Sequence, residues 1–105
     1  MALLVQLRVI PIGVGTSLSG YVARVVDVLR RRGVKYVLGP MSTSLEVHDF
    51  RELAELLREV VDVLRSEGVQ RIAIDVSIDA RFDKESTLES KVASVEEKLK
   101  RGGKS

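Results

Sequence analysis

Cysteine is absent from these 105 residues, which removes disulfides, thiolate metal sites and thiol nucleophiles together. Asparagine and tryptophan are also missing, and His48 is the single imidazole. Tyr21, Tyr36, Phe50 and Phe82 are the only aromatics, too few for a base-stacking surface. Seventeen basic residues nearly balance 15 acidic ones, for a net charge of +2, so no field for polyanions arises. Nucleic acid is thereby excluded as a partner. No apolar run reaches the roughly 18 residues of a membrane span, which excludes a membrane partner as well. Arg8 interrupts MALLVQLRVI before a signal-peptide core can form, so a cytoplasmic protein is expected.

What remains is globular: 45% of residues are hydrophobic and 30% charged. The length suits one core, which predicts a single domain over residues 1–100 and a flexible tail over 101–105. From Leu3 to Ile10 the chain alternates. Leu3, Val5, Leu7 and Val9 share one face of a strand, and Leu4, Gln6, Arg8 and Ile10 the other. The glycine- and hydroxyl-rich stretch IPIGVGTSLSGY follows, where hydroxyls can cap a helix and the backbone can hold an anion or polar ligand. It lacks the lysine of a Walker A loop and the third glycine of a dinucleotide fingerprint.

Leu18, Val22, Val25 and Leu29 stripe the first helix, which Gly33 stops. Val34 to Leu38 is a second strand, Gly39-Pro40-Met41-Ser42 a turn, and Thr43 to Val47 an antiparallel third strand. Asp49 and Glu52 resemble a capping pair for a helix buried through Phe50, Leu53, Leu57, Val60 and Leu64. In Arg71 to Asp79, Ile72, Ile74, Val76 and Ile78 face the core. Ser86 and Glu89 read as a second capping box, before a last helix packed back through Leu88, Val92, Val95 and Leu99. The fold expected is α+β: a ferredoxin-like β-α-β-β-α-β antiparallel four-stranded sheet with an extra C-terminal helix.

Such a fold hosts many functions, so the site must decide. Arg24 sits a turn too late for acylphosphatase chemistry, and that reaction's asparagine is missing. His48 has no neighbouring nucleophile and reads as a surface or capping residue. No acid–base pair or metal set presents itself, so no catalytic residue, metal or cofactor is expected. The open sheet face carries Gln6, Arg8, Asp75, Ser77 and Asp79, with Arg8 able to pair with Asp75 across neighbouring strands. This is either a solvated or subunit-facing polar surface or a ring of groups around a small cationic or heteroaromatic ligand. Leu4, Ile10 and Leu38 are further expected on that face, an apolar patch of the kind a second copy covers.

Four motifs then carry a resemblance: PIGVGTSLSGYVA, YVLGPMST, VSIDARFDK and KVASVEEKL. Together, over residues 5 to 99, they resemble the small thiamine-binding proteins of ferredoxin-like fold, relatives of the tandem-domain hydroxymethylpyrimidine/thiamine-binding proteins. The resemblance implies a non-enzymatic binder of thiamine or its pyrimidine precursor that self-associates to a dimer or tetramer. It points to Gly15, Ser17, Ser19 and Tyr21 in the first loop, Pro40, Met41 and Thr43 in the turn, and Asp79, Arg81, Asp83 and Lys84 after the last strand. The chain departs from the family pattern at Ser42 and Val47, where the family usually has glycine. For the ligand, Glu46 and Asp75 are the expected carboxylates, Ser17 and Thr43 the hydroxyls, and Tyr36 or Met41 the ring contact. The competing reading is an oligomeric regulatory or scaffold domain with no metabolite.

Overall fold

The computed structural model describes residues 2–102. Along the chain run β1 (Leu3–Ile12), α1 (Ser19–Arg31), β2 (Lys35–Leu38), β3 (Thr43–Val47), α2 (Phe50–Ser66), β4 (Arg71–Ala80) and α3 (Leu88–Gly102). The sheet order is β2-β3-β1-β4, with every pairing antiparallel. Each βαβ half therefore leaves room for a strand of the other between its own two strands, which is the ferredoxin-like topology with α3 added.

One sheet face supplies the core. Leu3, Val5 and Leu7 of β1 and Leu45 and Val47 of β3 meet Val25, Val28 and Leu29 of α1 and Leu53, Leu56, Val60 and Leu64 of α2. Salt bridges between Arg24 and Glu67 (2.8 Å) and between Arg32 and Glu59 join the two helices at the surface. Asp49 caps α2 by accepting the Glu52 N–H at 2.8 Å, while the Glu52 carboxylate accepts the His48 N–H at 2.8 Å. The first bond satisfies an orphan donor of the helix, as the Asp49–Glu52 spacing predicts; the return bond falls on His48, one residue before the N-cap.

Several expected burials change. Phe50 is 55% exposed, because it opens α2 beyond the end of β3; Leu56 takes the core place assigned to Leu57, which is half-buried. In α1, Val28 is buried while Val22 is exposed. Ile78 shares the core-side face with its partner Val5 but sits on the outer strand β4, where it stays exposed. Leu38 lies opposite Thr43, itself opposite Leu7, so it belongs to the helix-covered side and not the open face. No side chain caps α1, whose N-cap is Leu18 rather than a hydroxyl residue.

The largest difference is α3. Its cap is formed by Thr87 and Ser90, not Ser86 and Glu89: the Ser90 N–H donates to Thr87 Oγ1 at 3.0 Å and the Thr87 N–H to Ser90 Oγ at 2.8 Å. Glu89 instead accepts from Lys35 at 2.6 Å. The helix crosses to the open sheet face, where Leu88 and the nearly fully buried Leu4 line the same small hollow. Beyond Leu88 its apolar stripe is not packed back, while Glu89 and Lys91 reach the body through ion pairs with Lys35 and Asp79. Val92, Val95 and Leu99 are exposed, and the helix carries no buried residue. The radius of gyration is 16.0 Å, well above the roughly 13 Å of a compact chain this long. α3 projects from the body as an arm. It runs through Arg101 and Gly102, the first two residues of the expected tail; 103–105 lie outside the described residues.

Candidate functional site

The β2–β3 turn organises the polar end of the sheet. The Gly39 N–H donates to the Ser42 carbonyl at 2.9 Å, closing Pro40 and Met41 into a tight hairpin. A Cβ on Gly39 would stand 2.7 Å from that carbonyl oxygen, so the close approach requires glycine. The turn projects Met41, 74% exposed, over β1, and brings Ser42 within 3.0 Å of the Gln6 amide, which donates to its hydroxyl.

Two hollows flank this turn and share Met41, Ser42 and Arg8. On the open face, Gln6, Arg8, Met41, Ser42, Asp75 and Ser77 enclose ≈ 240 Å³. The strand register explains the grouping: Gln6 lies opposite both Ser44 and Ser77, and Arg8 opposite Asp75. On the helix side, Val22 of α1, Leu7 and Val9 of β1, and Leu38 and Thr43 of the hairpin line a smaller apolar cleft of ≈ 100 Å³.

Arg8 Nη1 stands 3.9 Å from Asp75 Oδ2, with both side chains more than half exposed. So long and wet a pair contributes little stability and leaves both groups able to turn toward a ligand. The larger hollow thus offers one carboxylate, one guanidinium, one amide, two hydroxyls and a thioether. These hydrogen-bond acceptors and donors border a space of ≈ 240 Å³, below the about 300–1,000 Å³ of drug-sized pockets.

The six residues expected to bind a ligand do not converge. Asp75 and Met41 line the polar hollow. Thr43 is buried at the floor of the apolar cleft, which Met41 also borders. Tyr36 lies opposite Leu45 and packs on the core, away from the open face. Ser17 is exposed in the loop before α1 and lines neither hollow. Glu46 faces the open side but is engaged elsewhere: its Oε1 accepts the Leu88 N–H at 2.7 Å and lies 3.5 Å from Lys35 Nζ. Glu46 is opposite Leu4 and Asp75 opposite Arg8, four residues along β1, or about 13 Å at 3.3 Å per residue. Strand parity also separates Thr43 and Tyr36 from Glu46 and Asp75, onto opposite faces of the sheet. Ser42, expected in the turn and at a departure from the family pattern but not among the ligand contacts, lines the hollow in its own right.

After β4, Arg81 and Asp83 pair with each other at 2.6 Å, and Asp79 pairs with Lys91 of α3 at 2.6 Å. The Arg81 guanidinium holds the Asp83 carboxyl below its usual range. Among the described residues no group of three or more His, Asp or Glu could hold a metal ion, and no helix is long and apolar enough to cross a membrane.

The profile of the thiamine-binding protein family matches residues 5–96. The chain belongs to that family. It is a family of binding proteins, which agrees with a site rich in hydrogen-bonding groups. The UPF0045 protein of Methanothermobacter thermautotrophicus is 39% identical over 95 residues, covering 90% of this chain and 96% of that protein. The UPF0045 protein YqgV of Bacillus subtilis is 36% identical over 99 residues, covering 90% and 94%. Among solved structures, a hypothetical protein of Methanocaldococcus jannaschii superposes with a TM-score of 0.82 at 30% identity, over 91% of this chain and 97% of that one. A Thermotoga maritima protein provisionally assigned to thiamine biosynthesis or salvage shares the fold, with a TM-score of 0.76 at 24% identity over 90% and 99%.

Proposed function

We propose that this chain is a cytoplasmic, non-enzymatic binding protein for thiamine or its hydroxymethylpyrimidine moiety, working as a dimer or tetramer. The observation that carries the reading is the polar hollow of Gln6, Arg8, Met41, Ser42, Asp75 and Ser77 in a chain of the thiamine-binding family. An aminopyrimidine presents an exocyclic amino group and ring nitrogens. Asp75 accepts from the first, and the Gln6 amide and Ser77 hydroxyl donate to the second. Met41 covers the flat face of the ring with a polarizable thioether. The thiazolium of thiamine then lies toward the open side of the hollow, where the carboxylate of Asp75 also favours its positive charge.

Isothermal titration with thiamine and with hydroxymethylpyrimidine tests this directly. Binding of either, with a rise in melting temperature as ligand is added, is the expected result, because a ligand that binds only the folded state stabilises it by mass action. If the protein binds neither at millimolar concentration, the ligand assignment fails and the scaffold reading takes its place.

A further inference from the structure

We propose that α3 is an association arm, pairing in parallel with α3 of a second copy. The inference rests on the self-association proposed above and is independent of the ligand. Leu88, Val92, Val95 and Leu99 are spaced four, three and four residues apart, the repeat of a two-stranded coiled-coil seam. The last three are 57%, 57% and 69% exposed on a helix that projects from the body. An isolated 15-residue helix is marginal in water, so an aliphatic stripe of this length calls for a partner. The polar end of the chain's own open sheet face does not fit it. Gln6, Arg8, Asp75 and Ser77 are polar or charged, and aliphatic side chains laid over them would desolvate those groups without replacing their hydrogen bonds.

Charge sets the direction. Glu89 and Glu96 flank the seam on one side, and Lys91 and Lys98 on the other. In an antiparallel pair, like sides face each other: Lys91 meets Lys98 of the second copy and Glu89 meets Glu96. In a parallel pair, Lys91 meets Glu96 of the second copy on both sides of the seam, so attraction replaces repulsion. Lys91 already stands 2.6 Å from Asp79 of its own chain, and its three donors allow it to bridge both carboxylates. Beside the seam, a groove of ≈ 570 Å³ between α3 and the exposed Val37 of β2 adds apolar ground for the incoming helix. The arm's base is fixed by Glu46, Lys35 and the Thr87–Ser90 cap, so the helix is held out before it meets its partner.

The test uses the absence of native cysteine. Val95→Cys, at an exposed seam position, should oxidise to a covalent dimer of this one variant, because a parallel pair sets Val95 against its own copy. An antiparallel pair sets it against Val92. A disulfide that forms only when Val92→Cys and Val95→Cys proteins are mixed would overturn the parallel arrangement. Light scattering of wild type and Val95→Asp separates the remaining outcomes. A wild-type mass above 11.6 kDa that halves in Val95→Asp, with helix content of the body kept, is expected. A wild-type mass of 11.6 kDa removes self-association itself. A wild-type oligomer whose mass Val95→Asp leaves unchanged removes only the role of α3.

Discussion

The Glu46 carboxylate accepts the backbone N–H of Leu88 at 2.7 Å, joining central strand β3 to the first turn of α3 across 42 residues of chain. Together with the Lys35–Glu89 pair, this contact fixes where the arm leaves the sheet. A carboxylate at a helix N-terminus satisfies an orphan donor and faces the positive end of the helix dipole. Glu46→Ala should therefore cost about 0.5–2 kcal/mol, the range measured for lost N-caps. Hydrogen exchange should quicken in the first turn of α3 and stay unchanged in α1. Equal protection of Leu88 in wild type and variant would remove Glu46 from this role.

Asp49→Ala should cost a similar amount, about 0.5–2 kcal/mol, through loss of the bond to the Glu52 N–H. Urea denaturation measures it as a lower midpoint with an unchanged slope. Because Glu52 in turn holds the His48 N–H, the double variant Asp49→Ala/Glu52→Ala should lose less than the sum of the two singles.

Acid should loosen the base of the arm. The Lys35 ammonium holds the Glu89 carboxyl below its ordinary value of 4.5, and Arg30 and Arg31 hold Asp27 below 3.8. A depressed carboxyl contributes stability that is present above its unfolded value and lost as pH falls through the folded one. The melting temperature should thus hold from neutral pH down to about 4.5 and decline below it. In the other direction, hydrogen bonding to Glu89 raises Lys35 above 10.5, so its contribution is complete below that value and fades as pH climbs past the folded one. These groups are exposed, so raising the salt concentration should flatten both limbs. A Lys35→Met variant with the same acid limb as wild type would show that the Lys35–Glu89 pair takes no part.

Periodicity gave the elements, and parity along strands gave the faces. The bounds of β3, Thr43–Val47, follow from its alternation, and the opposition of Arg8 and Asp75 follows from the topology that alternation implies. What covers an apolar stripe is not written in the stripe. Leu88, Val92, Val95 and Leu99 mark one side of a helix equally well whether that side packs on its own sheet or on another molecule. The spread of the candidate residues has a different cause. Tyr36 and Thr43 sit on the strands at and beside Glu46, but alternation turns them to the other side of the sheet. Counting in twos from Leu45 puts the first pair on the helix side and Glu46 on the open side. The engagement of Glu46 has no signal in the sequence: its partner, the Leu88 N–H, is a backbone group, and no side-chain pattern announces it.

The final prediction locates the ligand. If the pyrimidine sits at the Met41 end of the open face, Asp75→Asn and Ser77→Ala should each weaken binding of hydroxymethylpyrimidine while leaving the melting temperature of the free protein nearly unchanged. Asp75 and Ser77 are exposed on β4, and among the described residues the bond lost to the fold is the long pair with Arg8. For Asp75, the lost hydrogen bond to a charged group is worth about 1.5–3 kcal/mol, or roughly ten- to hundredfold in affinity. Loss of the neutral Ser77 bond should cost about 0.5–1.5 kcal/mol, or roughly two- to tenfold. Glu46→Gln is the counterpart, because Glu46 lies about 13 Å away along β1 at 3.3 Å per residue and is committed to Leu88. It should leave pyrimidine affinity within about twofold, since groups farther apart than roughly 7–10 Å with no shared partner act independently. Titration calorimetry on the three variants gives a pattern, not a single number. Loss in Asp75→Asn and Ser77→Ala alone places the ring beside Met41. Loss in Glu46→Gln alone moves the site to the base of α3, where Lys35, Glu46 and Glu89 already meet.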